Sequence, residues 1–360
     1  MEKRFLMTAL YLALFLGTGV FAAAEETEIQ KLGKQAIQKG LAVLNTSPED
    51  PMLACLTNAG YVPYRNRSTR ILYDVISENS QISLGRGNLL PVHTRWNEEP
   101  WLAMVRNVSE TELMLTHTPL EPGGPAFSKP LNVRVKKGDS FERFKAALGK
   151  KAFSLVTLAN GWADGIPEGL MSGALFHDHL CCGVFSGYFT AKFIQTQLPL
   201  ATGQRYIYIG APAWCQDDYL MRPLNLTPGK HGYYTMDYPW SRPWKTKDGV
   251  YPNLGGILIR FDGKRRTGQA NLLCFDWRED DFKQFVGMPE LKLDWKNQPW
   301  LHTWYNKFFL SHLDRPGKFV SVLKVKELKS QQDLDRLIKM GANPLAEILG
   351  PDEKWMANLQ

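Results

Sequence analysis

Residues 184–198, VFSGYFTAKFIQTQL, read as a helix that is apolar on nearly every face. Such a helix cannot lie on a surface, so the rest of the chain must cover it. The material is there: 44% of residues are hydrophobic, and residues 25–360 exceed the usual size of one domain. Two domains, or one duplicated domain, follow as the expected organisation.

The first residues set the compartment. MEKR is a positive n-region, FLMTALYLALFLGTGVF an apolar h-region, and Ala22 and Ala24 are small residues at positions −3 and −1. This is the pattern of a secretory signal cleaved after Ala24. The rival is an uncleaved anchor, since Phe5 to Ala24 could just span a bilayer. The Ala-x-Ala site favours cleavage, and no second apolar run of that length follows. The expected mature protein is exported, periplasmic or extracellular, with no integral span. The net charge of +7 is scattered, with short clusters at Lys136-Lys137 and Lys264-Arg265-Arg266. Without a basic stripe, nucleic acid is not the expected partner. A mild attraction to anionic ligands is the most this charge supports.

Directly before the apolar helix stands FHDHLCCG. The chain has seven His and five Cys, and four of these twelve fall between His177 and Cys182. Imidazole and thiolate are zinc and transition-metal ligands. An extended segment puts His177, His179 and Cys181 on one side, and a helical one puts His177 and Cys181 one turn apart. A cysteine at a helix start also has a lowered thiol pKa. Adjacent residues cannot all reach one ion, so a donor from elsewhere is expected: Cys215, with Asp217 and Asp218 beside it. Thiol redox chemistry and an accident of composition are the rival readings. His93, His117, His302 and His312 read as hydrogen-bonded structural residues, and Cys55 and Cys274 as core. An odd cysteine count leaves at least one thiol free or metal-bound, and a Cys215–Cys274 disulfide stays open. PGKHG, residues 228–232, lacks the spacing of a phosphate loop. It reads as a turn, or as Lys230 and His231 facing the cleft to hold an anionic group. The aromatics crowded from Tyr233 to Tyr305 read as core and loop anchors, or as a wall for a planar ligand.

Helical periodicity appears at 26–44, and helical character at 68–79. Residues 84–93 read as a glycine turn into a strand, and 101–106 with 112–118 as a hairpin. LNVRV is expected as a strand, Asp139 with Glu142 as a capping box, AFSLVTLA (152–159) as an apolar strand, and 160–169 as a loop. Beyond the apolar helix come a strand (RYIYIGA), a short helix from Cys215, a turn into a strand and a hairpin (254–261, 269–277). A strand (319–325) and a helix opened by Ser330 and Asp333 end the chain. The order repeats. STRILYDVISENSQISLGRGNLL sets gaplessly against PAWCQDDYLMRPLNLTPGKHGYY, with Asp74 on Asp218, Gly85 on Gly229 and Arg86 on Lys230. Ile71 then falls where the second copy has Cys215. Residues 26–118 and 184–277 are expected to share a fold.

FHDHLCCGVFSGY resembles the signature of the FmdE-like (formylmethanofuran dehydrogenase) family, Phe-His-Gly-His-x-Cys-Pro-Gly, at Phe176, His177, His179, Cys181 and Gly183. Asp178 and Cys182 depart from it. AWCQDD with PGKHG resembles a second block, at Cys215, Asp218, Gly229 and Lys230, and Arg265 to Gly268 a third. The resemblance spans residues 170–277 and implies an α+β domain, often dimeric, with a cleft lined by the His/Cys signature. Some members append a C-terminal zinc finger, and none is expected here, since no cysteine follows Cys274.

The resulting expectation is a duplicated FmdE-like α+β protein, each half a mainly antiparallel sheet with packed helices. Residues 1–24 are the signal, 25–160 a degenerate half, 161–280 the half with the site, and 281–360 an extension packed on the core. His177, His179, Cys181, Cys215 and Asp218 are the candidate metal ligands, zinc being the expected ion. Lys230 and His231 are candidates for ligand binding. The favoured function is binding a transition metal or metal-bearing cofactor for uptake or delivery, with a small molecule or metal complex as partner and a homodimer as an option. The alternatives are a metal-dependent enzyme with His231 or Asp217 as acid/base, and a thiol redox protein.

Overall fold

Ile29, Leu32, Ala36 and Ile37 recur at helical spacing and give helix α1 (Glu28–Val43) one buried stripe. The chain then forms β1 (Leu53–Thr57), a small hairpin of β2 (Pro63–Tyr64) and β3 (Arg67–Ser68), and helix α2 (Leu72–Glu78). A 3-10 turn at Leu84–Arg86 leads into β4 (Leu89–Pro91), the hairpin β5 (Trp101–Ser109) and β6 (Glu112–Pro119), and the short β7 (Leu131–Asn132). The computed structural model describes residues 26–350 except 126–127, 238–243, 247–248 and 252–253. The expected signal, and Tyr238 and Trp240 of the aromatic region, lie outside the described residues.

Three helices, α3 (Glu142–Leu148), α4 (Ala152–Ala163) and α5 (Glu168–Phe176), lead to the second half. Here the structure corrects the reading of 152–159 as a strand. A continuous apolar run carries no period, so burial on both faces of a strand and burial all round a helix look the same. Helix α4 continues through Asn160, whose amide donates to Val133 O and Val156 O at 2.8 Å each. Asn160 is therefore a buried tether rather than a loop residue, and the expected division at 160/161 falls inside this helix. The expected capping box is also absent: α3 begins only at Glu142, and the Asp139 carboxylate pairs with Arg143 at 2.8 Å.

The second half repeats the first. Helix α6 (Cys182–Gln197) precedes β8 (Gln204–Gly210) and α7 (Cys215–Met221). A 3-10 turn at Pro228–Lys230, β9 (Tyr233–Thr235), the pair β10 (Trp244–Thr246) and β11 (Gly249–Tyr251), and the hairpin β12 (Leu254–Asp262) and β13 (Thr267–Phe275) follow. The chain ends with α8 (Glu279–Val286), α9 (Trp300–Leu310), β14 (Val320–Leu328), α10 (Gln331–Ile338) and α11 (Pro344–Leu349). One sheet runs β4-β1-β5-β6-β7 and the other β9-β8-β12-β13-β14. In each, the first pair is parallel and the other three are antiparallel. The register that sets Arg86 on Lys230 superposes both 3-10 turns and the strands after them. A residue in the left-handed region follows each turn, Gly87 (φ 70) and His231 (φ 53). Two sheets of the same order, each flanked by packed helices, are what a duplicated α+β unit requires.

The halves share one core. Leu56 and Val105 of the first sheet, α4, α6, α9, and Leu258 and Phe275 of the second sheet belong to one buried cluster. Helix α6 lies within it: Val184, Phe185, Phe189 and Ile194 have no exposed surface, each worth about 2 kcal/mol. The second sheet's other face, with Ile207, Ile259 and Leu272, is covered by Leu334 and Leu337 of α10 and Leu345 of α11. Strand β14 takes the place β7 holds in the first sheet, so the C-terminal segment completes the second unit. No helix among the described residues is long and apolar enough to cross a membrane.

Candidate metal centre

Helices α5, α6 and α7 converge on the His/Cys segment. α5 ends at His177, and the chain turns there through Asp178, which adopts φ 70. Aspartate tolerates this left-handed region better than most residues. Cys181 caps the start of α6, and Cys215 is the first residue of α7. The two helices approach closely because α6 turns Gly183 and Gly187 toward α7. A Cβ at 183 would lie 2.8 Å from Cys215 Cβ, and one at 187 would lie 2.6 Å from Gln216 O.

The approach brings one donor atom from each of His177, His179, Cys181 and Cys215 within 4.8 Å of one another. The imidazoles are oriented from behind. His177 Nδ1–H donates to Asp218 Oδ2 at 2.6 Å, and His179 Nδ1–H to Asp178 Oδ1 at 2.6 Å. This is how metal-binding histidines are commonly fixed, with the other ring nitrogen free to ligate. His177 Nε2 is buried and has no hydrogen-bond partner. The donor set, two sulfurs and two nitrogens, suits zinc and similar ions, so the residues fit the group that the sequence suggested.

Electrostatics agree. A hydrogen bond from Cys181 and the neighbouring His177 and His179 imidazoles outweigh burial and hold the Cys215 thiol down to about 2, a thiolate. The Cys181 thiol is pushed up by that same bond and by burial. Burial works against a charged His177, but the Asp218 and Cys215 partners raise it to about 9. A cation in place of these shared protons would meet a site already negative.

The other candidates sit elsewhere. Asp218 supports His177 rather than joining the four. Asp217 is buried, and its Oδ2 accepts the Trp214 N–H at 2.9 Å as the cap of α7. Burial pushes its carboxyl up to about 7. Lys230 and His231 are exposed on the turn before β9, with Lys230 bonded to Asn225. Cys215 and Cys274 are both free thiols, so the disulfide left open does not form. His302, read as an isolated structural residue, comes from α9 to place Nδ1 3.3 Å from Cys182 Sγ. Its ring lies 5.3 Å from Phe153, which in turn meets His179 at 5.0 Å. Trp214, Trp277 and Trp295 extend this aromatic side, at 5.7 and 6.0 Å. Nothing local in the sequence marks His302, because it reaches the segment from 120 residues away.

Residues 176–243 match the FmdE family, described by its molybdenum formylmethanofuran dehydrogenase operon. The match begins at Phe176 and includes all four converging donors. No curated protein matches the chain.

Proposed function

We propose that the protein is an exported FmdE-like metal-binding protein, with His177, His179, Cys181 and Cys215 as the ligands of one transition-metal ion, zinc by its donor set. Bound there, the metal supplies a Lewis-acidic, thiolate-rich centre. The carrying observation is the buried, unpartnered Nε2 of His177 within a cluster of four donors whose imidazoles are braced by carboxylates. Holding the ion or a metal-bearing cofactor for uptake or delivery suits this site better than catalysis. Four protein donors complete the coordination of zinc, whereas a zinc enzyme keeps a position open for water or substrate. The family's operon name brings no formylmethanofuran step to this chain.

The test is elemental analysis of residues 25–360 purified without added metal or chelator, beside Cys181→Ser and Cys215→Ser. About one equivalent in the parent, lost in both variants, supports the reading. A parent that stays metal-free after reconstitution under reducing conditions sinks it.

A further inference from the structure

A cleft of about 520 Å³ opens between the halves, with none of the four donors in its lining. This lies within the size range of small-molecule sites. One wall is Leu89 and Leu90 of β4, and the other is Trp162 of α4 and Met171 of α5. Three large apolar side chains, Tyr61, Leu84 and Phe176, also line it while 42%, 54% and 39% exposed. Exposed apolar surface gathered in one concavity is a sign of a binding site.

Two opposite charges share this apolar space. Arg222, at the end of α7, donates to Ser172 O of α5. Glu168 lies on the first turn of the same helix. Among the described residues neither has an ion-pair partner, and they do not pair with each other. Ser172, whose carbonyl Arg222 meets, follows Glu168 by four residues, about one turn or ~6 Å of rise along α5. A lone anion would leave Glu168 facing it, and a lone cation would face Arg222. A molecule carrying both charges beside an apolar group satisfies all three features of the cleft.

We propose that this cleft binds a free α-amino acid with an apolar side chain. Its carboxylate meets Arg222, its ammonium meets Glu168, and its side chain lies between Met171, Trp162 and the β4 leucines. Guanidinium and carboxylate partners each add a charge-assisted hydrogen bond. The inference is independent of the metal reading, since none of the four donors lines the cleft.

The test is calorimetric titration of the full mature chain with L-leucine, 4-methylpentanoate and 3-methylbutan-1-amine. These carry the same apolar group with both charges, the anion alone and the cation alone. Leucine should bind about tenfold or more tighter than either analogue. Glu168→Gln should weaken leucine about tenfold without weakening 4-methylpentanoate, while Arg222→Gln should weaken leucine without weakening the amine. Both positions are exposed, and circular dichroism checks that the variants fold. The proposal is overturned if leucine fails to bind at up to about 10 mM, if 4-methylpentanoate binds as tightly as leucine, or if Glu168→Gln leaves leucine affinity unchanged. Leucine binding should persist in Cys181→Ser, which separates this outcome from the fate of the metal site.

Discussion

Asp218→Asn tests how the metal centre is tuned. The substitution removes the carboxylate that His177 Nδ1–H meets at 2.6 Å. Losing such a brace commonly costs about 10–100-fold in metal affinity. The same carboxylate also favours the competing proton. Burial disfavours a charged His177, yet its hydrogen bond to Asp218 and the Cys215 thiolate beside it raise it to about 9. Below that pH the parent must shed a proton to bind metal, and each unit costs about a factor of ten. By pH 7 this amounts to roughly a hundredfold. In the variant the imidazole moves toward its ordinary ~6.5 and escapes much of that competition. The sign is therefore fixed. The variant binds zinc about 10–100-fold more weakly above pH ~9, and the gap narrows as pH falls to ~7. Competition with a chromophoric chelator across that range measures both curves. Calorimetry in buffers of different ionisation enthalpy should count up to about one more proton released by the parent near pH 7.5. Parallel affinity curves with equal proton counts would show that Asp218 does not govern the His177 proton.

Other substitutions probe the frame. Gly187→Ala puts a Cβ against Gln216 O and Tyr219 Cβ, so separating α6 from α7 should cost about 1–3 kcal/mol in denaturant unfolding. Burial, with Lys151 nearby, holds His117 down to about 4. The unfolded chain then takes up this proton first, near pH ~6.5, so stability falls from there to about 4 and levels off below. The change is of the order of 2–3 kcal/mol, and His117→Phe should flatten the pH profile of Tm. Arg134 is buried and donates to Asp164 at 2.8 Å. Arg134→Met leaves Asp164 with Lys307 at 3.7 Å and should cost about 3 kcal/mol. An unchanged unfolding midpoint would contradict the assigned role.

The four converging donors are legible in the sequence because histidine and cysteine are rare here and cluster along the chain. Cys215, distant in the chain, is reachable through the family block around it. The internal repeat is legible from one gapless register, which the paired 3-10 turns follow. Helix α4 is not, since an apolar run around Asn160 hides its period and its tether exists only in three dimensions. Asp218 reads as a possible ligand because sequence cannot separate a carboxylate that binds a metal from one that holds the imidazole behind it. His302 escapes for a different reason: its approach to Cys182 depends on how α9 docks, and no short-range pattern encodes that.

Ile71 at the position of Cys215 has a consequence for titration behaviour. A symmetric dimer of an active unit carries two equal sites that can influence each other. Here one unit retains the framework, and the residues just before α1 include no histidine or cysteine where His177, His179 and Cys181 stand just before α6. A monomer should therefore saturate with a Hill coefficient of one, and any departure from that would report contact between molecules rather than between the halves of one.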